Sequence, residues 1–146
     1  PAIRKAKAIA RALGARALVA DVHGPTYHAA AALSANGAAA LASVAVRVMT
    51  SIGLSPTAAR RAIGALLRTV GENVERVGVP DALTGPVFRG DDATVHRHRV
   101  ALQRADPLAR AAYDAVAPAV LDCARRAGLP EERVRAVQRA LRRRAL

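Results

Sequence analysis

Aromatic side chains are nearly missing from this chain. Its 146 residues include no tryptophan, two tyrosines (Tyr27 and Tyr113) and one phenylalanine, Phe88. Proteins that bind single-stranded nucleic acid stack bases on aromatic platforms, so that mode is excluded. There is one cysteine, Cys123. It excludes an internal disulfide and any paired-cysteine zinc site, and fits a reducing cytoplasm. Acids are also scarce, 11 against 23 Lys and Arg, for a net charge of +12. That balance alone points to a polyanion. The basic residues are spread along the chain, however, and only RVRAVQRALRRRAL at the C-terminus is a true run. The charge is therefore read as a solvated surface, and nucleic acid is not the expected partner. No GxGxxG or GxxxxGK[ST] occurs, so the sequence shows no nucleotide-phosphate loop.

Apolar residues are abundant, 52% of the chain, and many are alanine. Alanine is the best helix former, and an alanine-rich core requires backbones that approach closely. The expected fold is all-α, a helical bundle built on one long Ala-rich helix. Residues 22–46 lack Asp, Glu, Lys and Arg, as a membrane span would. They contain His23, His28, Ser34, Asn36 and two glycines, so the segment is expected to be a long helix buried in protein, with no membrane involved.

The opening, PAIRKAKAIARALG, reads as an amphipathic helix stopped at Gly14. ARALVA, residues 15–20, then reads as a short strand. One helix and one strand make no sheet, so residues 1–21 are expected to be the end of a truncated Rossmann-like α/β domain, and 22–146 a separate helical domain. Pro1 in place of an initiator Met agrees with a cut. From Pro25 a helix can run to about Ser51, about 40 Å at 1.5 Å per residue. Ser55 and Pro56 open the next helix; Ile63, Leu66, Leu67, Val70 and Val74 recur on it at helical spacing, and Gly78 with Pro80 close it. VPDALTGPVFRGDDAT reads as loop. Helices follow at about 93–104, capped by Asp91 or Asp92, from Asp106-Pro107 to about Ala127, and from Pro130 onward.

Two places can carry chemistry. On the long helix, His28 and Asn36 are eight residues apart, about 80° around the wheel and about 12 Å along the axis, with Ala32 between them. A ligand lying along the helix could touch both; the plain alternative is a pair of satisfied core polar groups, or His28 near a solvated helix start. In LTGPVFRGD, glycines and a proline fix a tight backbone from which Thr84, Arg89 and Asp91 project. Arginine on a rigid turn suits bidentate capture of a carboxylate or phosphate; a surface arginine beside a capping aspartate is the alternative. The pair in His96-Arg97-His98 points to different sides of a helix and does not chelate one metal ion easily. Ser34 has no base or orienting group near it in sequence, so a serine hydrolase is unsupported.

YHAAAALSANG, TVGENV and LTGPVFRGDDATVHRH together resemble the C-terminal helical domain of bacterial Rossmann-like oxidoreductases, a domain itself classed as of unknown function. The resemblance covers about residues 5–128. The wider superfamily includes ketopantoate reductase, pyrroline-5-carboxylate reductase and 6-phosphogluconate dehydrogenase, whose second domain is helical, often dimerises, and completes the active site. The resemblance implies a fold like the C-terminal domain of 6-phosphogluconate dehydrogenase and a homodimer through the long helix 25–51. It also implies NADP or NAD held mainly by an N-terminal domain missing here, and a small oxo or imino acid as substrate, ketopantoate being one guess. His28 is then the proton donor or carbonyl polariser, a task suited to a group that titrates near neutral pH. Asn36 would bond the substrate, Arg89 clamp a carboxylate, and Thr84, Gly85 and Asp91 shape the turn. The fragment alone is not expected to turn over. Two departures stand out from ketopantoate reductases, which place a Lys and two Asn along this helix: His28 replaces the Lys, and Ala32 stands where the nearer Asn would be. A non-catalytic dimerisation scaffold, and a basic nucleic-acid-binding module, are the competing readings.

Overall fold

The computed structural model describes residues 2–15, 17 and 24–143. It is all-α: α1 (Ala2–Ala12), α2 (Thr26–Ser51), α3 (Pro56–Val77), α4 (Pro86–Arg89), α5 (Asp92–Ala105), α6 (Pro107–Arg126) and α7 (Glu131–Arg142), with no strand among the described residues. Two compact units are present, residues 1–35 and 36–146. The strand expected at 15–20 falls on residues 16 and 18–20, which lie outside the described residues.

In the first unit, α1 ends as its sequence requires. Gly14 takes a φ of 71°, its N–H bonds the Arg11 carbonyl, and the Ala15 N–H reaches back to Ala10. A left-handed residue lets the chain fold back onto carbonyls the helix leaves unpaired.

In the second unit, three helices begin the same way. Ser55, Asp91 and Asp106 each accept a backbone N–H with the side chain, from Ala58 at 3.2 Å, Thr94 at 3.0 Å and Leu108 at 2.9 Å. Pro56 and Pro107 follow in the first turn, where a missing N–H costs nothing. The segment expected to be loop holds one further turn of helix, α4, between Gly85 and Gly90. Four residues are too few for a periodic signal, and Gly-Pro hides the turn.

The core lies where α5 meets α6 and α7, with α4 laid across α5 and α6. Val95, Val134 and Val137 are fully buried there, beside Val87, Leu121 and Ala140. Each such valine contributes about 1.5–3 kcal/mol by leaving water. One charge enters this core. Arg99 is 3% exposed. Its guanidinium bonds Asp114 of α6 at 2.8 and 3.2 Å, and donates to the Ala140 carbonyl and, at 2.9 Å, to the Arg143 carbonyl at the end of α7. Arg110 holds the same carboxylate at 2.6 Å. Arg47 of α2 reaches Asp106, the cap of α6, at 2.9 and 3.0 Å.

The expectation that the long helix is buried is corrected. α2 has no buried residue. By length and composition it could cross a membrane, with a mean hydropathy of 1.6 and none of that window buried. α3 likewise leaves Leu66, Leu67, Val70 and Val74 exposed. The periodicity was apolar on schedule, but the described chain covers these faces only in part.

Removing Asp114 strands Arg99 in the core. Asp114→Ala is expected to lower unfolding free energy by about 3 kcal/mol in a urea titration, the lower end for a broken buried pair, since two carbonyls still bond the guanidinium. Acid acts through the same group. Burial pushes the Asp114 carboxyl up, but the hydrogen bonds and charges of Arg99 and Arg110 outweigh it and leave the pKa below the ordinary 3.8. A depressed folded-state pKa gives stability that is complete above the ordinary value and drains away below it. Stability of the native chain is therefore expected to fall as pH drops below about 3.8, and Asp114→Ala to flatten that fall.

Candidate functional site

The LTGPVFRGD segment builds the most defined polar site. Gly85, at a φ of 99°, precedes α4, and Gly90, at 71°, closes it; the Gly90 and Asp91 N–H groups return to Val87 and Pro86. Both angles lie where only glycine rests without strain. Gly90 has a second reason to be glycine. A Cβ there would stand 2.8 Å from the Cβ of Arg133 on α7. The backbone of the turn and the stem of Arg133 thus touch, and an Arg133 N–H reaches the Arg89 carbonyl at 3.4 Å.

This contact walls an open pocket of about 580 Å³ lined by Arg89, Gly90, Asp91 and Asp92 on one side and by Glu132 and Arg133 on the other. The charged groups differ in how far they are committed. Asp91 is spent on capping α5: the backbone N–H of Thr94, helped by its hydroxyl and by the charges of Arg97 and Arg89, holds the carboxyl below its ordinary pKa. Arg89, Asp92 and Glu132 make no side-chain hydrogen bond or ion pair among the described residues, and all face the same opening. The structure therefore brings Arg89 and Asp91 together as expected for the turn. Thr84 and Gly85 belong to the same segment but lie outside the pocket lining. Sequence reasoning missed Glu132 and Arg133, which lie some 40 residues on and reach the turn only through packing of α7.

His28 lies in the first unit and Asn36 in the second, and both are exposed on α2. Neither makes a side-chain hydrogen bond among the described residues. They are not satisfied core groups; His28 stands in the exposed first turn of α2, the solvated helix start that the plain alternative also allowed. On α5, His98 packs edge-on against Tyr113, ring centroids 6.0 Å apart. His96 Nδ1 and the Tyr113 hydroxyl are buried without hydrogen-bond partners among the described residues. Burial and the nearby Asp114 charge push the Tyr113 hydroxyl's pKa up, so it stays a neutral donor.

The second unit also holds two apolar clefts along α2. One, of about 380 Å³, runs between Leu41, Val44 and Val48 of α2 and Tyr113, Val116 and Val120 of α6. The other, of about 430 Å³, lies between Ala42 and Val46 of α2 and Ile63 and Leu67 of α3.

Residues 1–120 match the model of a protein family described as a domain of unknown function, DUF2520. The chain belongs to that family. Neither the curated proteins nor the solved structures hold a match to it. The family match takes in α1 to α5 and most of α6, and with them the turn that carries Arg89 and Asp91; α7, which completes the pocket, lies beyond it.

Gly90→Ala tests the construction. The substitution forces a left-handed alanine into contact with Arg133, and is expected to cost about 2 kcal/mol in urea unfolding. Gly64→Ala is the control: it sits in mid-helix, a Cβ there meets nothing within 4 Å, and it is expected to be neutral or stabilising.

Proposed function

We propose that this chain is the substrate-binding and dimerisation part of an NAD(P)-dependent oxidoreductase that reduces a small oxo or imino acid in the cytoplasm. The observation that carries the reading is the open polar pocket at the GPVFRGD turn, with an uncommitted arginine at its rim. Arg89 stands exposed at that rim, and a guanidinium is the best side-chain match to a carboxylate. The motif resemblance to reductase helical domains supports the same reading. NAD(P)H, held mainly by a nucleotide-binding domain outside these residues, would supply the hydride; no glycine-rich phosphate loop stands in this sequence. The tasks of this chain are to orient the acid, through Arg89, and to place a proton donor and a hydrogen-bonding amide, through His28 and Asn36.

The second task is assembly. α2 and α3 leave apolar faces open, with a cleft on either side of α2. Small side chains let a second helix approach closely, so a second copy of the chain fits the faces of residues 25–51. A membrane is the poorer match: the helix carries His28, Ser34, Asn36 and Gly37 among its alanines, and alanine is far less hydrophobic than the leucine of a typical span. An assembly role without catalysis rests on the exposed faces alone and leaves His28 and the pocket without a task.

In the full-length protein, His28→Ala is expected to lower NADPH-dependent turnover by 10² to 10⁴ while leaving the helical circular dichroism unchanged; undiminished turnover refutes the role of His28. NADPH binding with no turnover of any oxo or imino acid favours the scaffold. Sedimentation is expected to give twice the chain mass, and Leu33→Glu with Leu41→Glu, both exposed on α2, to shift the species toward monomer. A monomer at micromolar concentration without any substitution would rule out the dimer.

A further inference from the structure

We infer that two copies of this chain meet through α3, its apolar seam lying antiparallel on the same seam of a second copy, about a two-fold axis near Gly71. The inference rests on the dimer proposed above and deepens it. It adds a second helix to the interface beside α2 and fixes the direction in which that helix pairs.

The first observation is a period. Ile63, Leu67, Val70, Val74 and Val77 follow one another at steps of four, three, four and three. That alternation is the 3.5-residue repeat of a helix that keeps one narrow seam against another helix; a helix laid on a globular core shows a broader stripe. The charges agree. At about 100° per residue, Arg61, Arg68, Glu72, Glu75 and Arg76 all lie at least about 120° away from the seam. Yet the seam is mostly open. Ile63 is buried, but Leu67, Val70, Val74 and Val77, with Leu66 beside them, are between 40% and 58% exposed. The cleft against α2 takes in Ile63 and Leu67 and none of the three valines.

The second observation is Gly71. It stands in the interior of α3, where glycine weakens a helix relative to alanine, and a Cβ there would meet nothing within 4 Å. No contact within the described chain requires a glycine at this position. It flanks the seam near the middle of the exposed stretch 66–77, where two such helices come closest if the stretch pairs with itself. A missing side chain admits a second backbone there. The third observation selects the occupant and its direction. The two ends of the seam carry opposite charges. Arg60 flanks the N-terminal end, and its side chain makes one hydrogen bond, at 3.4 Å to the Thr57 hydroxyl. Asp81 follows the C-terminal end and makes no side-chain hydrogen bond or ion pair among the described residues. The Ala82 N–H returns to the Gly78 carbonyl, so the chain keeps turning and Asp81 stays near the end of the helix. A parallel copy would set Arg60 against Arg60 and Asp81 against Asp81. An antiparallel copy brings each Arg60 to the end where the other chain's Asp81 lies, and symmetry does this twice. A seam that matches itself in shape and in end charge suits an isologous pair. In that register Leu67 meets Val77 of the partner subunit, and Val70 meets Val74 of the partner subunit.

The test uses the full-length protein, with oxidative cross-linking to read direction and sedimentation to read strength. For cross-linking, Cys123→Ser and the removal of any other cysteine give a silent background. Gly71→Cys is expected to form a disulfide-linked dimer under mild oxidation. Val77→Cys alone is expected to stay unlinked, but to link when equilibrated with Leu67→Cys chains. Self-linking of Val77→Cys as readily as Gly71→Cys means a parallel pair and overturns the inference; so does the absence of any link at Gly71. Gly71→Leu approaches from the other side. In a single chain the leucine enters open space and favours the helix, so the helical circular dichroism is expected to hold while self-association weakens at least tenfold. Undiminished association overturns the inference. Comparison with Leu33→Glu plus Leu41→Glu separates the two levels. A dimer broken by the α2 glutamates and untouched by Gly71→Leu keeps the dimer and overturns the role of α3. A dimer broken by Gly71→Leu and untouched by the glutamates supports α3 and removes α2 from the interface. A native chain that sediments as a monomer overturns both.

Discussion

Arg99 is the constraint on which the second unit depends. It stands in α5, takes its counter-charge from α6, and supplies donors to the last carbonyls of α7. A helix end leaves four carbonyls unpaired, and those of α7 would otherwise abut a core of valines. The buried cation and the buried helix end thus solve each other's desolvation problem. The arrangement is exacting. Burying a charge costs several kcal/mol that only good geometry returns, so α7 has one seat where the guanidinium is fully bonded. Arg99 at the end of α7 and the Gly90 contact near its start pin the same helix at two points. The pocket exists because both hold.

A different economy governs α2. Alanine gives a helix its best intrinsic propensity, yet buries little apolar surface per residue. A helix made mostly of alanine gains little from packing unless another backbone comes very close. Within the described chain none does, and the helix is left with clefts on two sides. The one firm tie is Arg47 to Asp106. Twenty-six residues exceed the length at which an alanine-rich helix persists by propensity, about 12–15. It can therefore stand as a preformed wall for a partner, with no folding cost at the moment of contact.

Much of the fold was legible because its boundaries are chemical. Ser55, Asp91 and Asp106 announced three helix starts by side chains that cap, and Gly14 announced one stop. What was not legible was tertiary. α2 read as buried because its sequence is apolar, but burial needs a partner that periodicity cannot supply. Arg99 had a signal that went unused: with Val95 and Leu102 it lies on one stripe at spacings of four and three, so an arginine on an apolar face was there to be noticed. Glu132 and Arg133 had none. Their part in the pocket follows from the direction in which α7 packs, and no local pattern encodes that direction.

The turn itself shows how structural and functional demands divide among adjacent residues. In Arg89-Gly90-Asp91-Asp92, the two central positions are consumed by the fold. Gly90 admits the stem of Arg133, and Asp91 closes the first turn of α5. The two flanking side chains, Arg89 and Asp92, make no hydrogen bond or ion pair among the described residues and face the opening. A substitution at the centre therefore damages the frame and the site together, whereas one at the flanks alters charge without altering the frame. That separation makes the surface tunable: the same turn and the same α7 contact could present other side chains at positions 89 and 92. The fold fixes the frame of this opening, and the flanking residues, with Glu132 opposite, set the charges it presents.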